Sequence, residues 1–325
     1  MTTLTRRTAL ALPAAVLATP ALAQAFPSQP VTMVIPFAAG GPTDTVGRLI
    51  AEAMARDLGQ NVVVVNVGGA GGTLGAQRVA QARPDGHTIL LHHIGMATIP
   101  TLYRRLAYDP VNGFETIGMV TEVPMTLVAR RDFPAQNLAE LIAHVRRERD
   151  RINLANAGIG AASHLCGLLL QSTLNVPMTT VPYSGTGPAM NDLVGGRVDL
   201  MCDQTTNTTE HIRAGTIRAY AATTSTRVAS LPDLPTAAEA GLPGFEVSVW
   251  HGLYAPRGTP APVIERLSRA LQVALRDERV VSRFRDLGTE PVPAERATPA
   301  YHRRFWEADI AKWRPIIQAA GTFAD

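Results

Sequence analysis

The apolar positions of this chain change period many times, and each change marks an element. Val31 to Ile35 form a short apolar run that Gly40 and Gly41 bring to a turn. Val46, Leu49, Ile50, Ala53 and Met54 then recur at helical spacing until Gly59. Pro42 suits the first helical position, where its missing N–H costs nothing. Asp44 falls in the first turn, where its charge complements the helix dipole. A glycine turn opening a helix aims free N–H groups at one point, which makes a seat for an anion. Asn61 to Val67 is a nearly unbroken apolar run, the pattern of a strand buried on both faces of a parallel sheet. Glycines at 68, 69, 71 and 72 lead into a short helix ending at Ala82, and His87 to Ile94 reads as the next strand. Alternation of strand and helix predicts a doubly wound α/β sheet with right-handed crossovers.

Two extended runs, Ile117–Val120 and Met125–Val128, are separated by Glu122-Val-Pro124 without a tight-turn signal. That break suits a crossover between lobes. In the second set of units Asn137 caps a helix with Glu140 at the reciprocal position, and a further helix runs from Ser163 to Leu174. Strands are expected at Ile152–Ala155, Met178–Val181, Val198–Met201 and Ile217–Ala222. Phe245 to Pro256 reads as a long strand leaving this unit. Helices then follow at Pro260–Leu275, near Arg279–Leu287 and at Pro299–Ala319. Such a tail cannot bury its apolar faces alone and is expected to return to the first sheet. The predicted division is 26–124 for the first part of lobe I, 125–248 for lobe II, and 249–325 for the crossover strand and returning helices. The ligand cleft is expected between the lobes, at the carboxyl ends of the strands.

Composition narrows the function. The chain has 325 residues, enough for two cores, and its formal charge of +3 falls by two if Arg6 and Arg7 leave with a leader. That is no nucleic-acid footprint. Residues 1–25 combine paired arginines, an Ala/Leu-rich run and Ala21-Leu22-Ala23, the pattern of a cleaved export signal of twin-arginine or general secretory type. No later segment approaches the ~20 apolar residues of a membrane span. A soluble periplasmic protein is expected. Cys166 and Cys202 are the only cysteines; in an exported protein they can pair or stay as buried thiols.

Enzyme signatures fail. In Gly69-Ala-Gly71-Gly72-Thr73-Leu74-Gly75 the third glycine comes one position late for a dinucleotide fingerprint, and Lys312, the only lysine, lies far from any phosphate loop. His92 and His93 are neighbours in a strand, so they are expected on opposite faces and unable to share a metal. No G-x-S-x-G elbow occurs, and Ser163-His164 are poorly placed as nucleophile and base. The small, aromatic and hydroxyl-bearing cleft residues favour binding over turnover. No cofactor or metal is implied.

The ordered landmarks Pro36–Asp44, Asn66–Thr73, Pro84–Leu91, Val181–Gly185, Pro188–Gly196, Val198–Asp203, Leu231–Gly244 and Trp250–Pro256 carry a resemblance over essentially the whole mature length. The chain resembles the extracytoplasmic solute-binding receptors of tripartite tricarboxylate transporters, the Bug-type receptors. The resemblance implies a two-lobed periplasmic binding protein of type II-like fold. It would close on a small carboxylate and deliver it to a membrane permease of the tripartite tricarboxylate type. A monomer is expected. The ligand would be a mono- or dicarboxylate, an aromatic acid or an acidic amino acid. By resemblance the first strand–helix loop contributes Phe37, Ala38, Ala39, Gly40 and Asp44, and the turn after the third strand contributes Gly95 and Met96, the latter as an apolar wall. Asn156, Gly160, Ala161, Ser163 and His164 open the facing helix, and Tyr183 and Asp203 complete the pocket. Asp44, Ser163 and Asp203 have plain alternatives as helix caps, and Tyr183 as a packed strand-end ring. Cys166 and Cys202 both map beside this cleft, which favours a bridge. A secreted α/β enzyme for a small acid, or a ligand-presenting partner of a membrane sensor, would keep the same cleft.

Overall fold

In the computed structural model, which describes residues 26–321 and 324, β1 (Val31–Ile35) is central to the first lobe. It pairs in parallel with β2 (Val62–Asn66) on one side and β3 (Thr88–His93) on the other. The helices between and after them are α1 (Pro42–Leu58), α2 (Thr73–Ala80) and α3 (Gly95–Leu102). Pro42 sits in the first turn of α1, and Gly59 ends it with φ 69°. β2 corrects an expectation. It is the edge of the sheet, with Val63 exposed, because only β1 pairs with it. Its other residues are half-buried rather than buried on both faces.

β4 (Phe114–Arg130) is a single strand of 17 residues where two runs and a break were expected. Its first part lies against β9 (Ser248–Pro256), and its second part lies between β7 (Leu200–Gln204) and β8 (Ile217–Ala222). Pro124 pairs with Ser248 of β9 and Met125 with Gln204 of β7. The proline therefore falls where the strand changes partners, the place in a ladder at which a missing N–H is tolerated. The second lobe adds α4 (Leu138–Glu148), β5 (Asn153–Asn156), α5 (Ala162–Leu174), β6 (Thr179–Pro182), α6 (Thr186–Val194) and α7 (Thr205–Arg213). Asn137 caps α4 by accepting from the N–H of Glu140 at 2.9 Å, while Glu140 accepts from Gln136 N–H.

The strand order is β2-β1-β3-β9-β4 in one lobe and β8-β4-β7-β5-β6 in the other, with the short β10 (Glu290–Pro291) on the free side of the first part of β4. α8 (Ala261–Ala274) and α9 (Glu278–Asp286) pack on α1, and α10 (Pro299–Ala320) packs on α3 and β4. Trp306 of α10 is fully buried and donates its indole N–H to Met96 O at 2.9 Å. The C-terminal helices do cover the first sheet. The expected leader at 1–25 lies outside the described residues.

Candidate functional site

The two lobes meet where the loop from β1 to α1 faces the openings of α5, α6 and α7. Ala38 N–H donates to Ser184 O at 3.0 Å across the lobes, and Thr98 Oγ1 donates to Gly160 O. The phenol of Tyr103 donates to Ile159 O at 2.9 Å. At Gly187 an added Cβ would lie 2.7 Å from Ala39 O, so the backbones touch there. Between these contacts is a cavity. Phe37, Gly41, Pro42, Thr43 and His93 line it from one lobe, and Ala157, Ala162, Ser163, Thr186, Asp203 and Gln204 from the other. It is narrow, about 10 Å³, room for roughly one water. A larger solute therefore needs the lobes to part.

The N-termini of α1, α5, α6 and α7 all converge on this space through residues of their first turns or caps. Each brings unpaired N–H groups and the positive end of a helix dipole. Ser163 Oγ accepts from Ala157 N–H at 2.9 Å, which leaves its own proton to donate. Ser163 lies inside the first turn of α5, and Ala161 is the capping residue. His93 stacks on Phe37, ring centres 4.6 Å apart, and burial pushes its pKa down to about 3. It is neutral, and because Nδ1 accepts from Gly95 N–H the proton sits on Nε2. No arginine or lysine lines the cavity.

Asp203 is the exception to this positive field. Its Oδ2 accepts from Asn207 Nδ2 at 2.6 Å, while Oδ1 is buried without a partner. Burial pushes its carboxyl up to about 6, against hydrogen bonds from Asn207, the Gln204 N–H and Thr186 that pull it down. Gln204 Oε1 is likewise buried and unpartnered.

Of the residues expected here, Phe37, Ser163 and Asp203 line the cavity. Others hold its walls. Asp44 turns inward: Oδ2 accepts from Gly40 N–H and Arg48, and Oδ1 from Asn66 Nδ2, which also donates to Phe37 O. Burial would raise its carboxyl, but these hydrogen bonds and the Arg48 charge hold it below the usual range. Its oxygens are spent on the loop, so it does not face the cavity. Ala38, Ala39 and Gly40 form the rim, with Ala39 and Gly40 exposed. Asn156 Oδ1 accepts from Gly158 N–H, and His164 Nδ1 accepts from Gly160 N–H, so both brace the turn before α5. Gly160 and Ala161 belong to that same turn, outside the lining.

Tyr183 donates to Asp192 Oδ2 and also stands outside the lining. Gly95 and Met96 are not a turn but the start of α3, and Met96 is buried in the core beneath Trp306. The apolar-wall role expected for Met96 therefore falls away. Thr43, His93, Thr186 and Gln204 went unrecognised. Thr186 and Gln204 each follow directly on a quoted landmark, and His93 was weighed only as a metal ligand. The rings of His92 and His93 lie closer than strand alternation implies, 4.9 Å apart, because His92 Nδ1 folds back to accept from His93 N–H. Cys166 of α5 and Cys202 of β7 are joined by a disulfide, Cα atoms 6.0 Å apart, one turn from Ser163 and next to Asp203.

Two α/β lobes on shared strands, closed over a cavity ringed by helix N-termini, define a solute-binding protein of the periplasmic type. The chain belongs to the tripartite tricarboxylate transporter family receptors, whose family model matches residues 46–322. It is similar to the periplasmic binding protein BugD, at 51% identity and TM-score 0.90, covering 92% of this chain and 100% of that one. MatC from Rhodopseudomonas palustris, solved with bound malate, is 45% identical with TM-score 0.87 over 90% of this chain and 100% of MatC. The R. palustris protein Rpa4515, solved with adipate, is 34% identical with TM-score 0.86 over 91% of this chain and 98% of its own. These relatives are solute-binding proteins rather than enzymes, and the same role holds for this chain.

Proposed function

We propose that this receptor captures a small dicarboxylate bearing a hydroxyl or ammonium group and hands it to a tripartite tricarboxylate permease. The observation that carries the reading is the convergence of four helix N-termini around the unpartnered Oδ1 of Asp203. N–H groups, the Ser163 hydroxyl and the Nε2–H of His93 suit carboxylate oxygens. With no arginine in the lining, recognition rests on neutral donors and dipoles, which suits release as well as capture. Asp203 would repel a bare carboxylate, but it accepts from a ligand hydroxyl or ammonium. Malate in MatC and adipate in Rpa4515 support the dicarboxylate class. Residues 26–124 and 249–321 act as one lobe and 125–248 as the other, closing about β4 and the segment before β9. Export to the periplasm by the N-terminal leader completes the reading.

Calorimetry with succinate, malate, aspartate, adipate, citrate and benzoate tests it. Malate or aspartate should bind more tightly than succinate, by about tenfold for one added charged hydrogen bond. Failure of every carboxylate to bind sinks the proposal.

A further inference from the structure

A cavity of about 650 Å³ lies on the opposite face of β9 from the cleft. Successive residues of that strand point to opposite faces: His251 reaches Thr43 of α1, whereas Trp250 donates to Asp309 of α10 at 2.8 Å. Trp250, Phe305 and Trp313 give the cavity an aromatic wall from one lobe. Thr223–Thr226, just after β8, give it a wall of hydroxyls from the other.

Its charged groups are Glu122, Glu246, Asp309 and Lys312. Glu122 is held by both terminal nitrogens of Arg296. Glu246 and Asp309 lack a salt-bridge partner among the described residues, and Lys312 lies over the Trp313 ring at 5.8 Å. One oxygen of Asp309 is taken by Trp250, which leaves the other for a ligand. The indole N–H of Trp313, a residue nine-tenths buried, has no hydrogen-bond partner and stops short of the same carboxylate.

An anion would meet the carboxylates of Glu246 and Asp309 here, and an apolar molecule would leave Glu246 and the free oxygen of Asp309 without partners. Among the described residues no cluster of side chains is arranged to hold a metal ion. Aromatic faces beside a buried carboxylate recognise an organic cation. We propose that this cavity binds a small molecule carrying an ammonium group, with the cation at Asp309 beside the Trp250 ring. Glu246 adds attraction at the rim, and Lys312 with the Ser225 and Thr226 hydroxyls receives a carboxylate or hydroxyl tail.

Two of the three tryptophans line the cavity, so fluorescence reads it directly. The mature protein is titrated with putrescine, choline and glycine betaine, by fluorescence and by calorimetry. At least one probe should give a saturable response below about 10 mM, which D309N weakens about tenfold. Should D309N fail to fold by circular dichroism, E246Q carries the test; at an exposed residue it should weaken the same probe about threefold. No saturable response to any probe overturns the proposal. So does binding that survives both substitutions, or that D203N abolishes while D309N leaves it intact.

Discussion

Asp203 concentrates the chemistry of the cleft in one side chain. Its folded pKa of about 6 stands above the ordinary 3.8, so the folded state favours the protonated carboxyl. The unliganded protein is therefore penalised above pH 6 and relieved as pH falls from 6 toward 4, by up to about 3 kcal/mol from this group. D203N should flatten the pH dependence of unfolding between pH 4 and 6, measured by urea denaturation. The same substitution should erase the preference for malate over succinate. A different outcome is expected at Asp44, whose oxygens serve Gly40, Arg48 and Asn66. D44A should destabilise the protein by about 1–3 kcal/mol and weaken all carboxylates alike, since it loosens the loop rather than removing a contact. The sequence located Asp44 in the first turn of a helix and Asp203 at a strand end, where the fold has them. Which way each carboxylate turns depends on Asn66 and Asn207, and only the first of these belonged to a recognised landmark.

At the scale of elements, α6 and α5 set how closely the lobes meet. Gly187 in the first turn of α6 lies against Ala39 O and the backbone of Gly40, so G187A should obstruct closure. Ligand affinity should fall about tenfold or more while the unliganded melting temperature holds, as calorimetry and thermal denaturation would read. The Cys166–Cys202 bridge ties α5 to β7 and spans 36 positions. Mass spectrometry of the exported protein should find no free thiol, and replacing both cysteines with alanine should cost about 2–4 kcal/mol. Helices and strands were largely legible because their periods are strong and their caps, such as Asn137 and Gly59, are local. β2 and β4 were misread because pairing is not written in the local pattern. An apolar run does not show that a strand has only one neighbour, as β2 has in β1, and whether a strand runs on through a proline depends on partners more than a hundred residues away, as with Ser248 beside Pro124.

For the whole molecule, β4 belongs to both sheets, joins β9 to β7, and is the strand that holds β8 and β10 in place. Thermal unfolding should therefore be a single cooperative transition, with calorimetric and van't Hoff enthalpies in agreement. Two resolved transitions would show that the lobes are independent. The two-lobed plan was readable from the alternation of strands and helices. The closed cavity was not, because it forms from four helix starts that sequence spacing cannot bring together.

The place of β9 bears on how the protein comes into being. This strand sits between β3 and β4 in the middle of the first sheet, yet it is made only after the whole second lobe. On a growing chain the β1–β3 unit must wait, its apolar edge open, until residue 256 has emerged. Lobe II has no such debt and can settle first. A nascent chain arrested before Ser248 should thus resist protease across 125–247 and be cut readily in 31–102.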